Sequence, residues 1–378
     1  MKCTRHYMVT QAIQAEDSKG IKAVAETRNT AMGIAVVMHQ EANIDEKQGR
    51  LNEKLCDELG TLIVGLLDRS SGLEDIIVNE DSRIWVKRTG AIFEQVGELP
   101  PRQARGAMMT IASMQKTTVT EARPVLETQL PIWKFRFAGL IEPVVLSPSF
   151  AIRIKPDKKR SLEDLRRQGV LTGKDDPRNR RALQEDFISH LKGLDHLEVI
   201  QEAIRAHKNI LIVGGTGAGK TTVANAILEE IGVLTPSDRV LVIEDTQELL
   251  LDSANSLSML ATTEFDQLKC LKVALRLKPD RIVVGEVRDG AAALPLLKAW
   301  NTGHPGGVST IHANSATEAL IRLEDLVREA TEAPQQRTIG AAVDVVISVV
   351  SDHAAGRKIQ EVAVVTGWQD GHYLLTQV

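Results

Sequence analysis

Cysteine is scarce in this chain: Cys3, Cys56 and Cys270 are the whole complement, scattered and without C-x-x-C spacing. That excludes a disulfide framework, argues against a zinc knuckle, and fits a reducing, cytosolic setting. Aromatic residues make up only 3% of the sequence, which leaves little for the stacking platforms that hold single-stranded nucleic acid. Charge of one sign is missing too. A formal net charge of -4 gives no global attraction to nucleic acid or to an anionic membrane. The longest apolar stretches, residues 31–38 and 59–67, fall well short of the roughly 20 residues a membrane-spanning helix needs. Lys2 and Arg5 are followed by Glu16, Asp17 and Lys19 before any sustained apolar core, so no signal peptide is expected. There is no internal repeat.

What is present divides into two parts, as 378 residues exceed one comfortable core. Residues 1–50 lack strand or helix period and are expected to be a poorly ordered extension. From Leu51 the apolar positions Leu55, Leu59, Leu62, Ile63, Leu66 and Leu67 recur at helical spacing. Short strands about residues 76–78 and 84–86, a helix over 104–114 and a strand near 152–154 follow. Residues 51–154 therefore read as a small α+β domain. Residues 155–181 are dense in charge and carry Pro156, Gly169, Gly173 and Pro177, the marks of a linker, with one short helix about 162–167. From 182 to 378 the pattern changes. Residues 210–213, 240–243, 282–284 and 308–311 are short, mostly β-branched apolar runs separated by helical segments, as a parallel sheet buried on both faces requires. Further strands and a terminal hairpin are expected after residue 343.

The chemistry gathers at the ends of those runs. Residues 214–222 read GGTGAGKTT, which contains G-x-x-x-x-G-K-T after a strand and before a helix. The stretch comprises Gly214, Gly215, Thr216, Gly217, Ala218, Gly219, Lys220, Thr221 and Thr222. In that context the glycines let backbone N–H groups curl around phosphates, and the helix amino terminus adds its positive dipole end. Lys220 would reach the β and γ phosphates of ATP, and Thr221 would ligate Mg²⁺. Residues 280–290, DRIVVGEVRDG, place Glu286 just past a strand, where a carboxylate can hold the metal's water shell or polarise an attacking water. Residues 241–249, LVIEDTQEL, repeat the pattern with Glu244 and Glu248, while Asp245 has the alternative of a turn or capping role. Residues 301–314, NTGHPGGVSTIHAN, set His304 and His312 on either side of a short strand. A lone His is usually structural, but His312 ends a strand expected beside that of Glu286, where an imidazole can sense the γ-phosphate. Arg276 and Arg288 flank the same segment and can pair with phosphate or with the carboxylates, surface ion pairs being the alternative.

Together these boxes resemble the type II/IV secretion ATPase superfamily, and within it the conjugative-transfer branch. Residues 244–249 are similar to its acidic box, 275–288 (LRLKPDRIVVGEVR) to its atypical Walker B segment and 302–314 to its His box. The likeness extends forward through residues 121–131 (EARPVLETQLP), 136–140 (RFAGL) and 150–153 (FAIR), segments that resemble the branch's nucleotide-facing domain. The resemblance implies an α/β fold, a RecA-like P-loop domain preceded by a smaller α+β domain, assembled as a homo-hexamer. It implies ATP between the two domains of each protomer, contacted by Arg136, Arg153 and Arg123, with Mg²⁺ held by Thr221 and, through water, by Glu286 and Glu244. The implied role is a motor for a secretion or conjugation channel whose inner-membrane components are its partners, on the cytoplasmic face of that membrane. No stable direct nucleic-acid binding and no metal cluster are expected. Two departures stand out: Trp133, Lys134 and Phe135 occupy the place of a small polar turn, and the connection from Asp175 to His196 is longer than the branch's usual linker. The pilus-assembly and general-secretion relatives carry a four-cysteine metal element that is missing here, which favours conjugation over the alternative of a pilus assembly or retraction motor. A nucleic-acid-translocating ATPase is the remaining alternative.

Overall fold

The structure is a computed structural model that describes residues 30–68, 72–155, 161–167, 169–171, 180–352 and 356–378. Residues 1–29 of the expected extension, and 156–160, 168 and 172–179 of the expected linker, lie outside the described residues.

The amino-terminal part is built on a six-stranded sheet, order β3-β2-β1-β6-β5-β4. Its strands are β1 (Leu73–Val78), β2 (Arg83–Arg88), β3 (Phe93–Glu98), β4 (Val125–Gln129), β5 (Arg136–Leu140) and β6 (Ser149–Arg153), and every neighbouring pair is antiparallel. One face is covered by α1 (Thr30–Leu66) and α2 (Pro101–Met114). Leu55, Leu59 and Ile63, spaced four residues apart on either side of a helix break at Gly60 (φ 74°), pack there with Ala104, Ala107, Met108 and Ile111. α1 begins ahead of the expected start at Leu51, so part of the segment read as an unstructured extension is helical. Just ahead of Leu51, Arg50 pairs with Glu46 one turn earlier, the kind of i,i+4 contact that supports an exposed helix. Trp133, Lys134 and Phe135 close the β4–β5 turn, with Lys134 at φ 58°, Leu130 N–H bonded to Phe135 O at 2.7 Å, and Phe135 fully buried.

α3 (Leu162–Arg167) is exposed and α4 (Arg180–Leu191) leads into the second part. There an eight-stranded sheet runs β14-β13-β12-β7-β11-β10-β8-β9. Its strands are β7 (Ile210–Val213), β8 (Arg239–Glu244), β9 (Asn255–Leu260), β10 (Arg281–Val284), β11 (Val308–Ile311), β12 (Val345–Asp352), β13 (Gly356–Gln369) and β14 (His372–Gln377). From β12 to β9 all pairings are parallel; β13 and β14 add an antiparallel hairpin. Alternate residues of each parallel strand face opposite ways. Ile210, Ile212, Val240 and Val242 pack with α4, α5 (His196–Arg205) and α6 (Lys220–Leu234). Leu211, Val213, Leu241 and Ile243 pack with α7 (Gln267–Ala274), α8 (Gly290–Asn301), α9 (Ala316–Ala330) and α10 (Gln336–Ala342). Burial on both faces explains why these strands read as unbroken apolar runs.

The second face of the amino-terminal sheet closes on the same core. Ile77, Trp85, Ala138, Leu140 and Ala151 join the cluster that holds Leu257, Met259 and Leu271. Polar contacts fix the docking. The fully buried Arg239 guanidinium donates to Asn79 Oδ1 at 2.7 Å, to Leu277 O at 2.9 Å and to Asn255 Oδ1. On the edge strand β9, Ser258 N–H donates to Glu80 Oε1 at 3.2 Å and Leu260 N–H to Val144 O at 2.7 Å. Among the described residues no helix is long and apolar enough to cross a membrane.

Candidate functional site

The carboxyl ends of β7, β8, β10 and β11 open on one cleft of about 370 Å³, the position at which open α/β sheets bind ligands. The loop after β7 is held tightly against β12: a Cβ on Gly214 would stand 2.4 Å from Val349 O. Gly219 takes φ 101° and caps α6 without any side chain, which leaves the first-turn amides of that helix for a ligand. Lys220 follows at once and is buried. Its ammonium donates to Gly214 O at 3.1 Å and Gly215 O at 3.2 Å and lies 3.1 Å from His312 Nδ1. Burial lowers the Lys220 pKa, and the nearby Glu286 charge partly offsets this.

β11 lies between β7 and β10, and its side chains staple the segment after β10. Ser309 Oγ donates to Val284 O at 2.7 Å and Thr310 Oγ1 to Gly285 O at 2.8 Å, while Val287 N–H donates to Thr310 O at 2.9 Å. This sets Glu286 beside His312. One carboxylate oxygen is 2.8 Å from His312 Nε2 and the other accepts from Arg288 Nε at 2.6 Å. Arg288 also reaches Asp245 at 3.3 Å, and Gln267 donates to the other oxygen of Asp245 at 3.0 Å.

Glu244 is buried at the end of β8. Its Oε1 accepts the N–H groups of Glu248 at 3.1 Å and Leu249 at 3.0 Å, and its Oε2 is buried with no hydrogen-bond partner. Burial raises its pKa against the pull of those two amides. Glu248 Oε2 accepts from the Thr221 hydroxyl at 3.2 Å. Glu244 with its unpartnered oxygen, Glu248 and the Thr221 hydroxyl line the same cleft, and hard oxygen donors of this kind fit Mg²⁺.

Of the expected residues, Thr216, Gly217, Gly219, Lys220, Thr221, Thr222, Glu244, Glu248, Glu286, Arg288 and His312 line this cleft; Gly214, Gly215 and Ala218 shape the loop behind it. Others lie elsewhere. His304 is 2.8 Å from Pro279 O, a structural contact. Arg276, expected to flank the site, instead pairs with Glu127 of β4 at 3.0 Å. Arg136 and Arg153 line a separate small cavity with Arg276 and Lys278, Arg153 lies 3.8 Å from Asp75, and Arg123 sits in an exposed turn bridged to Thr120. Arg276 precedes β10 and so stands at the amino end of that strand, away from the carboxyl ends that open on the cleft. Arg136, Arg153 and Arg123 belong to the amino-terminal part, and every residue lining the cleft falls between Thr216 and Arg357, so within one chain the cleft does not lie between the two domains. Gln267 and Arg357 line the cleft from outside every motif of the sequence reading, and Thr246, Leu249, Gly285 and Thr310 lay inside its motifs without being singled out. Thr310 lay inside the His box, two residues before His312, and its position there was the available signal.

A phosphate-binding loop after the central strand, acidic residues at neighbouring strand ends and this sheet order together define a RecA-like P-loop protein. The chain belongs to the type II/IV secretion system protein family, which matches residues 60–364. It is 39% identical over 324 residues to the conjugal transfer protein TrbB of Rhizobium radiobacter, covering 86% of this chain and 93% of that protein. It is 31% identical over 303 residues to the type IV secretion system protein VirB11 of Bartonella quintana, covering 73% and 84% respectively. Among solved structures it is similar to the VirB11 ATPase from the Brucella suis type IV secretion system in complex with sulphate. That match has a TM-score of 0.73 at 25% identity, over 84% of this chain and 96% of that one.

Proposed function

We propose that this protein is a Mg²⁺-dependent ATPase that supplies mechanical work to a type IV secretion or conjugative DNA-transfer apparatus. The relatives described above support the apparatus. The observation that carries the chemistry is the contact chain from Lys220 through His312 to Glu286 at the mouth of the phosphate loop. Lys220 exchanges the two loop carbonyls for phosphate oxygens and so balances the charge on the transferring group. Glu286, oriented by His312 and Arg288, positions and polarises the attacking water. Thr221, Glu244 and Glu248 would hold Mg²⁺, which when bound neutralises phosphate charge. Glu286 would reach it through water.

Further parts of this reading rest on the family. The protein works as a homo-hexameric ring on the cytoplasmic face of the inner membrane, engaging membrane-embedded channel components. In such a ring Arg136 and Arg153, with Arg123, serve the nucleotide of a neighbouring copy, because within one chain they lie off the cleft. The test is steady-state phosphate release by the parent and by Lys220→Ala, with and without Mg²⁺. The variant should lose at least about 10²-fold; release at the parent rate, or release independent of the divalent ion, overturns the reading.

A further inference from the structure

Arg357 is the second residue of β13, after Gly356, and sheet order rather than sequence proximity sets its place. β12 runs parallel to β7 with Ser348 opposite Val213, continues past the end of β7, and pairs Ser351 with Arg357 on the way back. The returning strand is thereby laid along the phosphate loop. A Cβ on Gly219 would stand 2.6 Å from Arg357 Cδ, so the arginine stem crosses the residue that caps α6. The guanidinium Nη1 donates to Thr222 Oγ1 at 3.0 Å. That is its one recorded polar contact among the described residues, whereas Arg288, the other arginine lining the cleft, is paired with Glu286 and Asp245.

The cleft therefore has two unlike flanks. Glu244, Glu248 and Glu286 form one, and Arg357 stands on the other, over the first turn of α6. We propose that Arg357 binds the nucleotide's phosphate chain at its α-phosphate end, exchanging the Thr222 hydroxyl for phosphate oxygens. This rests on the reading of the cleft as an ATP site. Lys220 and the Glu286–His312 pair mark the γ end, and the loop amides cradle the α and β phosphates. A cation over Gly219 and Thr222 meets the chain on that inner side. A guanidinium suits the task, since it presents paired N–H groups to two oxygens and stays charged. The α-phosphate is shared by ATP and ADP, and it carries little of the charge change at the γ-phosphate. Arg357 is thus a nucleotide-affinity residue whose effect is felt before and after hydrolysis alike.

The experiment uses the full chain with Mg²⁺. ADP and ATP binding are titrated calorimetrically for the parent, Arg357→Ala and Arg357→Lys, alongside steady-state kinetics and the melting temperature without nucleotide. Arg357→Ala should weaken ADP and ATP by a similar factor, about 10-fold or more, and raise KM by more than it lowers kcat. Arg357→Lys should recover part of the loss. ADP affinity equal to the parent's overturns the inference. So does a kcat loss with ADP affinity kept, which would put the guanidinium on the transferring phosphoryl group. Failure of the parent to bind ADP would instead remove the ATP-site reading itself.

Discussion

Lys220 Nζ lies 3.1 Å from His312 Nδ1, while the opposite ring nitrogen of that histidine is 2.8 Å from Glu286. The ammonium is also 3.4 Å from that second nitrogen, so the imidazole is held between the two opposite charges, in contact with both, and keeps them apart yet in register. Removing it with His312→Ala should leave ATP binding largely in place, because Lys220 and the loop amides remain. Hydrolysis should slow by on the order of 10²-fold through a misplaced Glu286. Single-turnover kinetics beside an ATP titration check this; a loss of affinity with unchanged single-turnover rate would count against it.

Glu286→Gln preserves shape and the hydrogen bond to Arg288 but removes the negative charge. The expected outcome is an ATP-loaded protein that hydrolyses roughly 10²- to 10⁴-fold more slowly. Rapid-quench measurement of bound nucleotide distinguishes this from a binding defect, which would make Glu286 a ligand-holding residue only.

At the far end of the sheet Asp238 lies 2.6 Å from the buried Arg281 guanidinium and 2.9 Å from His207. Burial works against the charged carboxylate. The His207 hydrogen bond and the Arg281 charge outweigh it and hold the pKa down at about 2. A carboxyl depressed in the folded state stabilises the protein above its unfolded pKa of roughly 4, and that contribution is lost as the pH falls toward 2. The pairing should be worth roughly 2 kcal/mol at neutral pH. Asp238→Asn should cost about 3–5 kcal/mol in all, because it leaves Arg281 buried and uncompensated. Denaturant unfolding at pH 7 and pH 3 checks both figures: the parent should lose stability over that interval and the variant should lose less.

Arg239 and Asn79 tie the two sheets together across 160 residues of sequence. Asn79→Ala removes an acceptor from a fully buried guanidinium, a loss of about 1–3 kcal/mol. Local opening at the docking surface should become easier, and amide exchange at Ser258 and Leu260 should accelerate while that of the β7 and β10 amides stays close to the parent's. Uniform acceleration would mean general destabilisation instead.

The parallel strands could be read directly because residues such as Ile210 to Val213 must be apolar on both faces. The residues at their carboxyl ends could be read because short local motifs carry them. β9 and β3 could not. On the edge strand β9 polar Asn255 and Ser256 come first and Ser258 separates Leu257 from Met259, and Phe93–Glu98 is half polar, so neither forms a continuous run. Arg357 was invisible for another reason. It lies 135 residues from Thr222, and only the lateral position of β12 beside β7 brings it to the loop. The docking geometry was also beyond reach, since Asn79, Arg239 and Asn255 carry no motif and meet through packing alone. That geometry sets Arg136 and Arg153 away from the cleft, whereas Arg276 precedes β10 and so stands at the opposite end of that strand from the cleft.

Glu80 and Val144 occupy the outward amides of β9, which has a bearing on how the polypeptide must be made. Cut free of its amino-terminal partner, the larger half would present a naked strand with an apolar flank, Leu257 and Met259, to any other copy it met. Such borders template intermolecular pairing and aggregation. The smaller half covers that border in the folded chain, and because it lies amino-terminal to β9 it is already synthesised when that strand leaves the ribosome.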